Sequence, residues 1–170
     1  AFSSCGRLKK IVIPGSVSQI GRSAFSGCSS LETITLPSGL TEIKEYTFSG
    51  CEKLKGIELP EGITEIEDHA FLSCGSMEAI NLPGTLTYVG GAAFEGAEKL
   101  ITAGPSEKYN VRIGLKETIP ASTFSSMDYL EEAELPEGIT EIGAYAFSSC
   151  GRLKKIVIPG SVSQIGRSAF

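Results

Sequence analysis

LETITLPSGLTEIKEYTFSGC, residues 31–51, holds in 21 letters the pattern that the rest of the chain repeats. Leu31, Ile34 and Leu36 close on Pro37, and the β-branched, period-two character of the run predicts a short strand. Proline has no N–H for a ladder bond, so Pro37 ends the strand. Ser38-Gly39 supplies a turn, and Leu40-Thr41-Glu42-Ile43 is a second extended piece. What remains up to Phe48 and Cys51 is small and Gly/Ser-rich, which suits a tight turn or a single helical turn.

The same marks recur outward in both directions. Phe stands at 2, 25, 48, 71, 94, 124, 147 and 170, in steps of 23 residues except for one of 30. Three residues past most of them comes Cys5, Cys28, Cys51, Cys74 or Cys150, and then a Leu or Met. The strand with its proline returns as Ile11–Pro14, Ile57–Pro60, Ile80–Pro83 and Ile156–Pro159. One unit cannot bury its own apolar stripe. Stacked copies can, with parallel strands pairing at about 4.8 Å per coil. The chain therefore reads as a single solenoid domain, 1–170, of about seven coils with a parallel sheet on one face and short turns or single helical turns on the other. Phe71 belongs to the core. His69 falls where other units hold Ser23, Tyr46, Ala92, Ser122, Tyr145 and Ser168, a variable position expected at the surface.

Two departures stand out. Seven extra residues lie between Phe94 and Phe124, and the strand pattern fails at Gly104-Pro105, so 104–115 is expected to be an insertion loop. Tyr109 and Arg112 are its candidate contact residues, being types enriched at binding hot spots. Residues 1–25 and 146–170 are identical, which suggests a recent duplication, an excerpt of a longer array or deliberate reuse of one repeat. Neither end carries a polar capping unit, so a fragment of a longer array, with ends prone to end-to-end self-association, is expected.

Composition narrows the function. The 170 residues are 41% hydrophobic and 21% charged, with mean hydropathy +0.10. A net charge of −5 argues against nucleic acid as a partner. No apolar run approaches the roughly 20 residues of a membrane span, and no leader of the secretory type opens the chain. The five cysteines share a repeat phase with Ala97 and Met127, so they read as buried free thiols rather than disulfides or zinc ligands. No base is placed beside a thiol, and the single histidine lacks partners, so no enzyme activity and no cofactor are expected. Glu42, Glu65 and Glu141 share a phase with Gln19, Tyr88, Thr118 and Gln164, which suits a solvated face better than a calcium site. The outward strand positions form the candidate ligand face: Lys10, Val12, Thr33, Thr35, Glu58, Asn81, Glu132, Glu134 and Lys155. Opposite charges such as Glu131 and Lys154 would meet across neighbouring strands.

The unit L-x-x-I-x-L-P-x-x-[VIL]-x-x-I-g-x-x-A-F-x-x-C, clearest at 31–51 and 54–74, resembles the 23-residue, Treponema-type leucine-rich repeat of the BspA-like family. The resemblance covers the whole chain, weakening over 101–118. It implies an α/β leucine-rich-repeat fold, a β-rich right-handed superhelix or horseshoe. It also implies a cell-surface or secreted location and adhesin-like, noncovalent recognition of an extracellular or host protein. A structural spacer without a ligand of its own is the alternative. The buried Asn ladder of better-known leucine-rich repeats is missing: Ser16, Gly39, Gly62, Thr85, Gly138 and Ser161 occupy that turn.

Overall fold

A computed structural model describes residues 1–170. Each unit winds once around a common core, and its two extended pieces enter two different parallel sheets. The main sheet side takes the strands before the prolines, with β9 added among them: β1 (Lys10–Val12) and β2 (Thr33–Thr35) pair with each other, and β4 (Gly56–Ile57), β6 (Ala79–Leu82), β8 (Thr102–Gly104), β9 (Val111–Ile113), β11 (Glu132–Glu134) and β13 (Lys155–Val157) form a six-stranded ladder. The second sheet side takes the later strand of each unit, in two three-stranded ladders: β3 (Glu42–Ile43), β5 (Glu65–Ile66) and β7 (Tyr88–Val89), then β10 (Thr118–Ile119), β12 (Glu141–Ile142) and β14 (Gln164–Ile165). Register follows the repeat. Ile11 faces Ile34, Ile43 faces Ile66, and Ala133 faces Ile156.

The third side is the Phe turn, and it contains no helix. Of the two expected alternatives for this side, short turns or single helical turns, the structure has the turns, and the α part of the expected α/β class is absent. The reason lies in the backbone two residues either side of each Phe. Ser23, Tyr46, His69, Ala92, Ser122, Tyr145 and Ser168 all have φ between 51° and 61°, and a second left-handed residue follows, such as Gly27, Gly50, Ser73 or Gly96. Two such residues per coil cannot belong to a right-handed helix. They turn the N–H groups toward the next coil instead: Ser23, Phe25 and Gly27 donate to Glu45 O, Thr47 O and Ser49 O at 2.8–3.0 Å.

The core is one continuous column of side chains. Phe2, Phe25, Phe48, Phe71 and Phe94 stack face on face with centroids 5.3–5.6 Å apart, and Phe124, Phe147 and Phe170 form a second stack at 4.7–5.4 Å. Phe2 and Phe170 at the two ends are exposed, and burial of each of the inner rings from Phe25 to Phe147 contributes roughly 1.5–3 kcal/mol. The residue before Phe is small because it is wholly enclosed. Where it is Thr47 or Thr123, the hydroxyl donates to the carbonyl three residues back at 2.7 Å.

The segment 104–115 differs from the loop expected of it. Residues 105–110 turn, and Val111–Ile113 then re-enters the main sheet as β9. The spatial order is β4-β6-β9-β8-β11-β13, so the chain advances to β8, drops back one place to β9, and resumes. Asn110 stitches the detour: its amide donates to Glu78 O at 2.8 Å and its N–H to Thr102 Oγ1 at 3.1 Å.

Candidate protein-binding face

Successive residues of a strand point to opposite sides, so the residues flanking each buried Ile of the main sheet form a solvent-facing surface. Lys10, Val12, Thr33, Thr35, Glu58, Glu132 and Lys155 are exposed there, and Asn81, Arg112, Tyr109 and Glu134 are half-buried. The register brings Lys10 beside Thr33, Val12 beside Thr35, Asn81 beside Arg112, and Glu132 beside Lys155. Lys154 meets Glu131 at 2.9 Å, the charge pairing expected between these coils.

The centre of the face is occupied by its own bonds. Arg112 reaches across β6 to the carboxylate of Glu58 at 3.0 and 3.1 Å, with Glu107 at 3.9 Å. The Tyr109 ring lies over Gly104, where a Cβ would stand 2.3 Å from it, and its hydroxyl donates to Glu134 Oε2. Lys108 caps that ring at 4.7 Å from its centroid. Asn81 turns to the backbone: its Oδ1 accepts from Leu59 N–H at 2.8 Å and its Nδ2 donates to Leu59 O at 3.0 Å. In the outer coils the bond from that strand-end N–H goes to a backbone carbonyl, as from Ile13 to Thr35 O and from Leu135 to Val157 O.

Beside this bonded centre lies a depression. Between β2 and β4 the ladder is interrupted, with a long bond of 3.4 Å from Lys55 N–H to Glu32 O beside the break. Gly56 and Ala79 put almost no side chain on the surface, and a hollow of about 330 Å³ results, walled by Thr33, Thr35 and Glu58. Sequence reading placed Thr33, Thr35 and Glu58 on one face. It had no means of joining them to Gly56 and Ala79 as a concavity.

Four of the five thiols are held away from chemistry, and Cys5, expected to be buried with them, is exposed because no coil precedes it to cover it. Cys28, Cys51, Cys74 and Cys150 each donate to the carbonyl of the Phe in the preceding coil at 3.1–3.3 Å, and all five cysteines are free. Burial, the largest effect, pushes the Cys51 thiol up to about 12 and Cys150 to about 11, and raises Cys74 well above the usual value. They stay protonated at neutral pH, whereas the nucleophile and the metal ligand are the thiolate. His69 stacks on Tyr46 at 4.9 Å, and its Nδ1 is buried without a partner. On the second sheet Glu42, Glu65 and Glu67 bring carboxylate oxygens within 4.8 Å of one another. Lys44 enters this group at 2.5 Å from Glu42 and 3.1 Å from Glu67 and supplies the opposing charge. Burial works against the Glu67 charge, but the Glu45 N–H and the Lys44 ammonium outweigh it and lower its pKa.

The repeat geometry agrees with the family comparison. A model of the BspA type leucine rich repeat region matches in 6 copies over residues 1–109 and 107–170. The chain belongs to the BspA-type leucine-rich repeat family. Among solved structures, a leucine-rich repeat protein of T. pallidum is 28% identical with a TM-score of 0.69, over 92% of this chain and 72% of that one. A leucine-rich repeat protein from Bacteroides ovatus is 27% identical with a TM-score of 0.53, over 95% of this chain and 58% of that one. The pneumococcal vaccine antigen PcpA shares the fold at 19% identity and a TM-score of 0.65, over 92% of this chain. The chain spans 43% of PcpA's length. No curated protein sequence matches the chain.

Proposed function

We propose that this BspA-type array is a protein-binding module of a cell-surface or secreted protein, and that its outward main-sheet face recognises an extracellular protein noncovalently in the manner of an adhesin. The hollow between Thr33, Thr35 and Glu58 carries this reading. It is a concave spot on the main-sheet face. Its floor is backbone and Ala79, and its rim offers two hydroxyls and a carboxylate 82% exposed. A partner side chain seated there meets polar groups of fixed spacing, because each is set by strand register rather than by a loop. The Arg112–Glu58 and Tyr109–Glu134 bridges favour recognition by limiting the side-chain freedom lost on binding. Val12, at 60% exposure, and Lys10 extend the surface toward β1.

The test is a binding screen against extracellular proteins with the intact array and three variants. Thr35→Arg fills the hollow and is expected to abolish capture of the partner. Thr33→Ala with Glu58→Ala is expected to weaken it about tenfold or more, since hot spots cost about 2 kcal/mol or more. Glu61→Arg, on the turn after β4, leaves it unchanged. Capture indifferent to all three would place recognition elsewhere, and a chain that captures nothing would be a spacer.

A further inference from the structure

The insertion feeds one sheet and starves the other. Between β6 and β11 the main sheet holds two strands, β9 and β8. Between β7 and β12 the second sheet holds only β10, and β7 and β10 do not pair. The second sheet is therefore one strand short at the tier that β9 occupies in the first. The Phe stack misses the same tier, since Phe94 and Phe124 belong to separate stacks.

The place of the missing strand is a cleft of about 450 Å³, with Leu86 and Thr87 on one wall and Leu115, Glu117, Thr118 and Pro120 on the other. Its walls are complementary halves of a parallel ladder. In a regular junction Thr64 O accepts from Thr87 and Tyr88 N–H at 2.9 and 3.2 Å, and Ile66 O accepts from Gly90 N–H at 2.7 Å. Thr87 O and Val89 O are the corresponding acceptors one coil later, and neither receives a hydrogen bond. On the far wall Glu117 and Thr118 match Thr140 and Glu141, whose N–H groups both donate to Glu117 O. The Glu117 and Thr118 N–H groups donate to nothing in the chain. Pro120 stands where Glu67, Gly90, Gly143 and Gly166 donate across the junction, and it has no N–H to leave unpaired. A proline at this position is the mark of a strand built as an edge.

We propose that this cleft binds an extended peptide segment of a partner protein as the missing strand, parallel to β7 and β10. The segment's N–H groups donate to Thr87 O and Val89 O, and its carbonyls accept from Glu117 and Thr118 N–H. Affinity comes from main-chain bonds and selectivity from alternate side chains. The inward side chain enters the column between Val89 and Ile119, which elsewhere holds Ile43, Ile66 and Ile142, so it is a β-branched aliphatic residue. The residue before it lies outward between Tyr88 and Thr118 and tolerates polarity. This site is remote in role from the main-sheet hollow, and the proposal stands whether or not the hollow binds a protein.

The probe is a labelled synthetic peptide, Gly-Ile-Thr-Glu-Ile-Glu, which copies residues 62–67 of a second-sheet strand. Fluorescence anisotropy with the full chain is expected to show saturable binding. N-methylation of the peptide amides that face Thr87 O and Val89 O is expected to cost at least tenfold. So is Thr118→Pro, which removes an N–H directed at the cleft while the β10–β12 bonds run through other groups. Hydrogen exchange on the unaltered protein gives a readout independent of whether Thr118→Pro folds: the peptide slows exchange at Glu117 and Thr118 and leaves Glu141 unchanged. Absence of saturable binding at millimolar peptide would overturn the proposal. Binding insensitive to N-methylation, or without protection at Glu117 and Thr118, would do the same.

Discussion

The coil that ends at Phe71 and the junction between Phe94 and Phe124 are built from the same kinds of residue and differ in how many neighbours they keep. Around Phe71 every side of the coil is tied to the next. Phe71 N–H donates to Ala93 O, His69 N–H to Gly91 O and Ser73 N–H to Glu95 O, and β5 pairs with β7. At the junction after Phe94 the corresponding Phe-turn bonds are missing and β7 has no partner on the side that faces β10, so continuity runs through β9. Stability in a solenoid is close to a sum over neighbouring interfaces. A junction that keeps one of three sides is therefore the weak interface of the array, and a natural place for an added strand.

The largest expected effect tests this difference directly. Phe71→Ala, which removes a ring stacked on both sides, is expected to cost about 3–5 kcal/mol in denaturant unfolding. Phe94→Ala removes a ring stacked on one side and is expected to cost about 0.5–1.5 kcal/mol less. Equal losses would mean that the junction is as tightly coupled as a regular one. Next in size is Gly104→Ala. The new Cβ collides with the Tyr109 ring, and a loss of about 1–3 kcal/mol is expected, with the Tyr109–Glu134 bond broken. A neutral result would show that the insertion is slack rather than packed.

Hydrogen exchange sharpens the comparison without mutation. Glu117 and Thr118 amides are expected to exchange roughly tenfold or more faster than Thr140 and Glu141, their equivalents one coil on. The smallest effect belongs to the regular block. Glu67 has a folded pKa below the usual 4.5, so its contribution is complete above that value and is lost as pH falls through the folded pKa. Glu67→Gln should lower the midpoint of thermal unfolding slightly at pH 7, and the difference from wild type should vanish well below pH 4.5.

Much of this was readable in the letters. Phe at fixed phase announced stacked rings. Cys28, Cys51 and Cys74 sharing a slot with Ala97 and Met127 announced enclosed thiols. The strands closing on Pro37, Pro60 and Pro83 announced a parallel sheet. Val111-Arg112-Ile113 also alternates as a strand should, but three residues after Gly104-Pro105 carry too little pattern to outweigh the breakers. Pro120 was a further signal, standing where neighbouring units hold Glu or Gly. The left-handed residues were hidden because Ser, Tyr, His and Ala share nothing that marks the conformation. The three inter-coil bonds of each Phe turn impose it.

The sequence by itself determined the coil, its length, its core and its family, because a 23-residue period writes the same local choice many times over. Only the tertiary structure decided where the detour of Gly104–Leu115 would go. That choice turns on which neighbours have unpaired edges, which no local preference encodes. Placing β9 between β6 and β8 closed one sheet and left the other a strand short.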